Sequence, residues 1–294
     1  MAGNHDKAGE YPMTAIDSKR RRVWFITGTS SGMGYAAAKA ALEHGDLVAA
    51  TARNTSEIED LVADFPGQAL AIKLDVRDEE SARTAVSMTV GEFRGIDVVF
   101  NNAGYALVGS VEGTSDKQAR DLFDAGFFGA LNVLRAALPV LRSQRSGHVL
   151  QMSSIFGEMS FPGTGMLAAV KQALGGATQA MSAELAPLGI KFTQIEPGGL
   201  RTQFLAKWIV AEHAIADYDD TVGATLKQLV DLPAEAVAEV FRVAAAILEL
   251  VEAEDPPMRL VLGGWAEGII RTEIADRSAD IEKWSRLTRS VDNS

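Results

Sequence analysis

Seven short apolar runs alternate with helical stretches along this chain, and that rhythm constrains the fold more than any other feature. The runs are Arg22–Gly28 (RVWFITG), Leu47–Arg53 (LVAATAR), Ala69–Val76 (ALAIKLDV), Ile96–Gly104 (IDVVFNNAG), Gly147–Ser154 (GHVLQMSS), Ile190–Gly198 (IKFTQIEPG) and Met258–Gly264 (MRLVLGG). Each is short and largely apolar, and most close on a polar residue or glycine, as buried strands do. The intervening stretches read as helices: the alanine-rich Tyr35–Gly45, Ser56–Phe65 opened by a Ser56 cap, Asp78–Phe93, Asp116–Gln144, Gly165–Gly189 and Pro233–Leu250. Strands that alternate with helices require crossover connections, hence a parallel sheet covered on both faces. The expected architecture is α/β, a doubly wound parallel sheet. Residues 21–294 are expected to form one domain and residues 1–20 a flexible leader. The rhythm breaks at about 203–232, where Trp208, His213 and Tyr218 stand among acidic residues. An irregular insertion past a strand end reads as a lid over the carboxyl edge of the sheet.

Composition narrows the function classes. A net charge of −11 repels polyanions, so nucleic-acid binding is not expected. The one basic run, Lys19–Arg22, reads as a solvated lead-in to the first strand. The chain has no cysteine, which excludes thiolate nucleophiles and disulfides and suits a reducing cytoplasm, the expected location. The opening residues lack the apolar core of a signal peptide. No stretch of about 18 apolar residues is evident, so no membrane span is expected. No His, Asp and Glu cluster has metal-ligand spacing, so no metal is expected.

TGTSSGMG, Thr27–Gly34, joins the first strand to the first helix. Gly28, Gly32 and Gly34 allow a tight turn and close approach of backbone to a pyrophosphate, while Ser30, Ser31 and Met33 lie on the same turn. The helix N-terminus behind them presents free N–H groups and the positive end of its dipole. A glycine motif in this position marks a Rossmann-like dinucleotide site. Arg53 ends the second strand, where the adenosine ribose of such a ligand is met. An acid there would accept from a 2′-hydroxyl. An arginine pairs instead with a 2′-phosphate, helped by Ser31 and Asn54, which favours NADP(H).

Over about residues 22–290 the chain resembles the short-chain dehydrogenases/reductases, of the classical, NADP-preferring type. The resemblance rests on TGTSSGMG, on LDV with Asp75, on NNAG at Asn101–Gly104, on Ser154, on Lys171 and on EPGGLRT at Glu196–Thr202. It implies that Asp75 and Val76 border the adenine, that Asn101 steadies the sheet, and that Asn102, Ala103 and Gly104 line the ribose. It further implies that Lys171 binds the nicotinamide ribose and that Pro197, Gly198 and Thr202 seat the carboxamide.

The same resemblance implies a catalytic tyrosine, helped by the lysine, a serine and an asparagine. Ser154 and Lys171 match. The tyrosine position, four residues before Lys171, is Leu167, and the asparagine position, just before FFG, is Gly126. Leucine neither donates nor accepts, and no tyrosine lies between Tyr105 and Tyr218. Gly126 inside a helix costs about 1 kcal/mol against alanine. Gly126 with the small residues near Leu167 is expected to leave an enlarged, dry pocket wall. General acid catalysis contributes about 10²- to 10⁴-fold, so ordinary ketone reduction should suffer. Three functions fit: hydride transfer to an iminium, an activated alkene or another acceptor that needs no positioned proton donor; a cofactor-binding cyclase, isomerase or lyase; or an inactive nucleotide-binding regulator. Tyr105 is a weak substitute donor and reads better as pocket wall. Glu158 and His213 read as solvated side chains, and Tyr218 belongs to the lid. The helices 116–144 and 165–189 resemble the pair that builds a four-helix interface in family oligomers, so a homodimer or homotetramer is expected, with Gly175 and Gly176 allowing close approach.

Overall fold

The computed structural model describes residues 21–202 and 207–292. The expected leader, Lys19 and Arg20 of the basic run, and lid positions 203–206 lie outside the described residues. In chain order the elements are β1 (Val23–Thr27), α1 (Gly32–Glu43), β2 (Leu47–Ala52), α2 (Glu59–Ala63), β3 (Ala69–Lys73), α3 (Glu79–Phe93), β4 (Val98–Asn101), β5 (Leu107–Val108), α4 (Asp116–Phe123), α5 (Gly129–Gln144), β6 (Gly147–Met152), α6 (Gly165–Leu185), β7 (Ile190–Pro197), β8 (Gly199–Leu200), β9 (Ile209–Val210), α7 (Ala224–Val230), β10 (Val237–Ala238), α8 (Val240–Glu252), β11 (Arg259–Leu262), α9 (Gly264–Lys283) and α10 (Ser285–Arg289).

Seven strands form the central sheet in the order β11-β7-β6-β4-β1-β2-β3, every pair parallel. This is the doubly wound sheet expected from the sequence. Alternate residues of each strand serve opposite faces. Trp24, Ile26, Phe100, Leu150 and Ile195 pack under α1 and α8. Phe25, Val99, Val149 and Phe192 pack under α3 and α5. The strand order reverses between β1 and β4, and a ligand crevice opens at such a switch point, past the carboxyl ends of the strands.

Several expectations need correction. The turn before α2 is capped by Asn54, whose side chain accepts from Ser56 N–H, rather than by Ser56. The stretch 233–250 is not one helix: a single 3-10 turn, Ala234–Ala236, precedes the strand Val237–Ala238, which pairs with Gly199–Leu200, and α8 starts at Val240. Helix α9, twenty residues long, was not foreseen, because it opens on two glycines and buries only Ala266 and Ile270. The helical run Asp116–Gln144 is, by length and composition, long and apolar enough to span a bilayer, against the expectation. Its Ala130, Val133, Leu134, Ala137 and Leu141 are core residues that cover the sheet. Arg22, read as part of a solvated run, pairs with Glu252 and donates its N–H to Asp46.

Candidate functional site

The glycine turn is held open by backbone geometry and by polar bonds from two strands. Gly28 and Gly32 have φ of +72° and +59°, which a side chain resists. A Cβ on Gly34 would lie 2.2 Å from the Gly28 carbonyl oxygen and 2.6 Å from Asn102 Nδ2. Only glycine lets α1 start this close to β1. Asn102 donates to the carbonyls of Thr27 (2.8 Å) and Gly28 (3.2 Å). Thr27 Oγ1 accepts from the N–H groups of Asn102 and Ala103, each at 2.9 Å. Asn102 is thus a brace for the turn. Met33 packs its side chain into the core, and no side chain caps the N-terminus of α1. Ser30 and Ser31 are exposed at the helix mouth, and the first turn of α1 carries no acid to quench its dipole. Thr202 closes over the turn, its Cγ2 3.6 Å from where a Gly32 Cβ would stand.

At the far rim Arg53 is exposed just past β2. Asp75 accepts from Arg77 Nε (2.9 Å) and Nη2 (2.6 Å). This hydrogen-bonded pairing holds its carboxyl below the usual range, with a smaller contribution from the Arg53 charge. The carboxylate is thus held by one guanidinium and lies within the field of a second. Arg77 was not foreseen, since nothing in its sequence context sets it apart from other surface arginines. Val76 is fixed from behind: Asn132 on α5 donates to its carbonyl at 3.0 Å, and Gly129 leaves room for its side chain. Asn101 donates to the Ala130 carbonyl (3.1 Å) and to Gln151 Oε1 (3.2 Å), tying β4 to α5 and β6. Gly104 is exposed, with open space around its Cα.

The chemical end lies between β6, α5 and α6. Lys171 Nζ donates to the Met152 carbonyl at 2.8 Å, and burial lowers its ammonium to about 8. Ser154 caps a short turn and accepts from Phe156 N–H at 3.0 Å, which fixes its rotamer and leaves its O–H to donate. Leu167 is 4% exposed in the first turn of α6. Gly126 sits in a π-helical turn, Asp124–Phe128, between α4 and α5. Wide turns of this kind recur at functional sites.

The expected enlargement of this wall is not found. A Cβ on Gly126 would lie 2.7 Å from Val170 Cγ1, so Val170 fills the space. Tyr105 packs against the cluster of Val170, Leu107 and Leu122. Burial raises its hydroxyl, and the charges acting on it are Asp121, Arg77 and Asp124. Pro197 ends β7, and Gly198 just past it lies against Trp265 and Ala266 of α9.

A buried ionic group lies next to the serine loop. Glu196 is 1% exposed, and burial raises its carboxyl to about 7. Arg259 Nη1 reaches its Oε1 at 3.2 Å and also pairs with Glu158, which is half-buried and not the solvated side chain expected. Arg277 of α9 donates to the Glu158 carbonyl. Ser153, beside Glu196 across β6 and β7, is buried with its Oγ unpartnered. Sequence spacing gave no sign of this group, whose members come from four elements.

The described part of the segment expected to be a lid pairs with the loop after β4 through β9 and β5. Ile209 N–H donates to the Ala106 carbonyl (2.8 Å) and Ala211 N–H to the Val108 carbonyl (2.7 Å). Gln118 Nε2 donates to the Val210 carbonyl at 2.9 Å. His213 is exposed, and Tyr218 donates to Glu112 at 2.7 Å.

Comparison with known proteins agrees with this geometry. The family model described as short chain dehydrogenase matches residues 22–212. Oxidoreductase BOA17 of Botryotinia fuckeliana (strain B05.10) is 36% identical over 268 residues, 91% of this chain and 98% of that protein. The crystal structure of a short-chain dehydrogenase from Streptomyces avermitilis is 37% identical, with a TM-score of 0.87 over 94% of this chain and 100% of that one. ElxO with NADP bound shares the fold at 22% identity, with a TM-score of 0.72 over 85% of this chain and 100% of that one.

Proposed function

The chain is an oxidoreductase of the short-chain dehydrogenase family, and from that premise we propose that it binds NADP(H) and reduces substrates that need no positioned phenolic donor. Iminium carbons and activated alkenes are the acceptor classes. Bound in the cradle, the cofactor supplies a hydride. The glycine turn and the unquenched N-terminus of α1 suit its pyrophosphate. Arg53 suits a 2′-phosphate, and Lys171 suits the hydroxyls of the nicotinamide ribose. The observation that carries the reading is Leu167, a buried aliphatic side chain four residues before Lys171, whose Nζ donates to the Met152 carbonyl.

Hydride addition to an iminium completes an amine with no proton step. A polarised alkene takes hydride at its β-carbon and later a proton from water at its α-carbon. A ketone alkoxide would need a proton at once, and Leu167 has none to give. Ser154 O–H is available to orient a polar group of the substrate, and Tyr105 to wall the pocket.

Fluorescence titration with NADPH and NADH tests the cofactor half. Tighter NADPH binding is expected, and failure to bind either overturns it. Assays of ketones, cyclic imines and activated alkenes with NADPH test the chemistry. Turnover of the last two classes without the first is expected, and brisk ketone turnover overturns the restriction. For assembly we propose a homodimer or homotetramer through α5 and α6, supported by the exposed Phe128 at the start of α5 and the open surface at Gly176.

A further inference from the structure

We propose that Val170 is a specificity-determining residue: it keeps the wall between α5 and α6 closed and apolar by occupying the space that any side chain at position 126 requires. This rests on the reading that positions 126 and 167 are the altered proton-handling positions. The packing coupling it predicts can be measured without that reading.

The central observation is a single contact. A Cβ on Gly126 would stand 2.7 Å from Val170 Cγ1, and Val170 Cβ would be 3.9 Å away. Real Cβ atoms do not approach a methyl that closely. Val170 is 2% exposed and wedged among Leu107, Leu122, Tyr105, Phe123 and Met166. A β-branched residue in a helix keeps essentially one χ1 rotamer, so its methyl has no second place to go. Gly126 cannot retreat either, because the π turn carries straight into α5, whose next residues Gly129 and Ala130 are buried.

The wall is therefore one packing unit built from two helices. Leu167 and Val170 stand three apart on α6 and share a side of it. An amide at 126, a half-buried position, would meet the methyl of the buried Val170, where an unpartnered polar group is costly. Reversal at 126 and 167 alone then fails for a steric reason, before any question of chemistry. Removing the γ-methyls of residue 170 should admit a side chain at 126 and a water beside it.

The test is a double-mutant cycle read by thermal melting, with NADPH titration in parallel. Gly126→Asn is expected to lower Tm by roughly 3–10 °C, and Val170→Ala to lower it by about 2–5 °C. The double variant is expected to melt well above the sum of those losses. Gly126→Ala, which adds only the clashing Cβ, should show the same coupling if the asparagine variant does not fold. An unchanged melting temperature for Gly126→Ala, or simple additivity in the cycle, overturns the coupling. Ketone reduction is then compared between L167Y/G126N and L167Y/G126N/V170A. At least a tenfold gain on adding Val170→Ala is expected, and equal rates, or no activity in either, overturn the specificity role. Loss of NADPH binding in the unaltered protein would instead sink the proposed function while leaving the melting cycle readable.

Discussion

Lys171 Nζ donates to the Met152 carbonyl oxygen at 2.8 Å, so the cation of the site is fastened to the end of the central strand β6. One donor is spent on this bond, and the others remain for a ligand. Burial has lowered the ammonium to about 8, well within reach of an ordinary assay. Below that pH the group offers a charge and three donors, and above it two donors and no charge. NADPH affinity is expected to fall as pH rises from 7 to 9. Lys171→Met should weaken NADPH by about 10- to 100-fold, the range for hydrogen bonds from a charged group. Titration across pH checks both. An unmoved dissociation constant between pH 7 and 9 would count against the lysine as a ribose ligand.

Asp75 is paired with Arg77 and lies in the field of Arg53, and we propose that this arrangement sets the choice of cofactor at the adenosine end. Arg53→Glu removes a cation that suits a 2′-phosphate and adds an acid that suits a 2′-hydroxyl. Charge-assisted bidentate pairing is strong, so the ratio of NADPH to NADH affinity should fall by roughly 10²-fold. Arg77→Ala frees the Asp75 carboxylate and should change NADPH and NADH affinity alike. Parallel titrations of the two variants separate the roles.

Two buried groups should give the stability curve opposing slopes. Glu196 has its carboxyl raised from 4.5 to about 7 by burial. Between those values the folded chain holds a proton that the unfolded chain has lost, so stability falls as pH rises, by up to about 3 kcal/mol. The nearby Arg259 guanidinium, which favours the carboxylate, trims that figure. His148 is lowered from 6.5 to about 4, by burial and then by Lys191, and shares a 3.0 Å hydrogen bond with Thr193. Here the unfolded chain takes the proton first, so stability is lost as pH falls from 6.5 to 4. Glu196→Gln should leave the His148 slope uncovered, with stability rising from pH 4 to 6.5 in urea unfolding. A curve of unchanged shape would refute the Glu196 assignment.

The cofactor end was legible because its parts are local. The turn Thr27–Gly34 shows its glycines, its strand and its helix in one stretch, and the structure places φ of +72° and +59° at two of those glycines. The wall of the pocket was not legible. Gly126 and Val170 are distant in sequence, and glycine there suggested space until the facing methyl was seen. The Glu158, Arg259 and Glu196 group draws on three separate segments that look like ordinary surface charge. Helix α9 escaped notice because its apolar residues are few. Ala266 and Ile270 nonetheless pack on Ile155 beside Ser154, which places α9 next to the serine loop.

The glycine pair in α6 separates packing from assembly. Both were expected to let a partner approach, but they face different ways. A Cβ on Gly175 would stand 3.1 Å from Gln194 Oε1, against β7, so Gly175 serves the interior. Gly176 has nothing within 4 Å and is exposed. In an isolated subunit Gly176→Ala removes a helix-interior glycine and should stabilise by up to about 1 kcal/mol. In an oligomer joined through α6 the added methyl lies in the interface and should loosen it. Sedimentation and melting of Gly176→Ala therefore decide together. A lower association constant with a lower Tm is the expected result for the proposed homo-oligomer. A higher Tm with unchanged mass would move the interface away from α6.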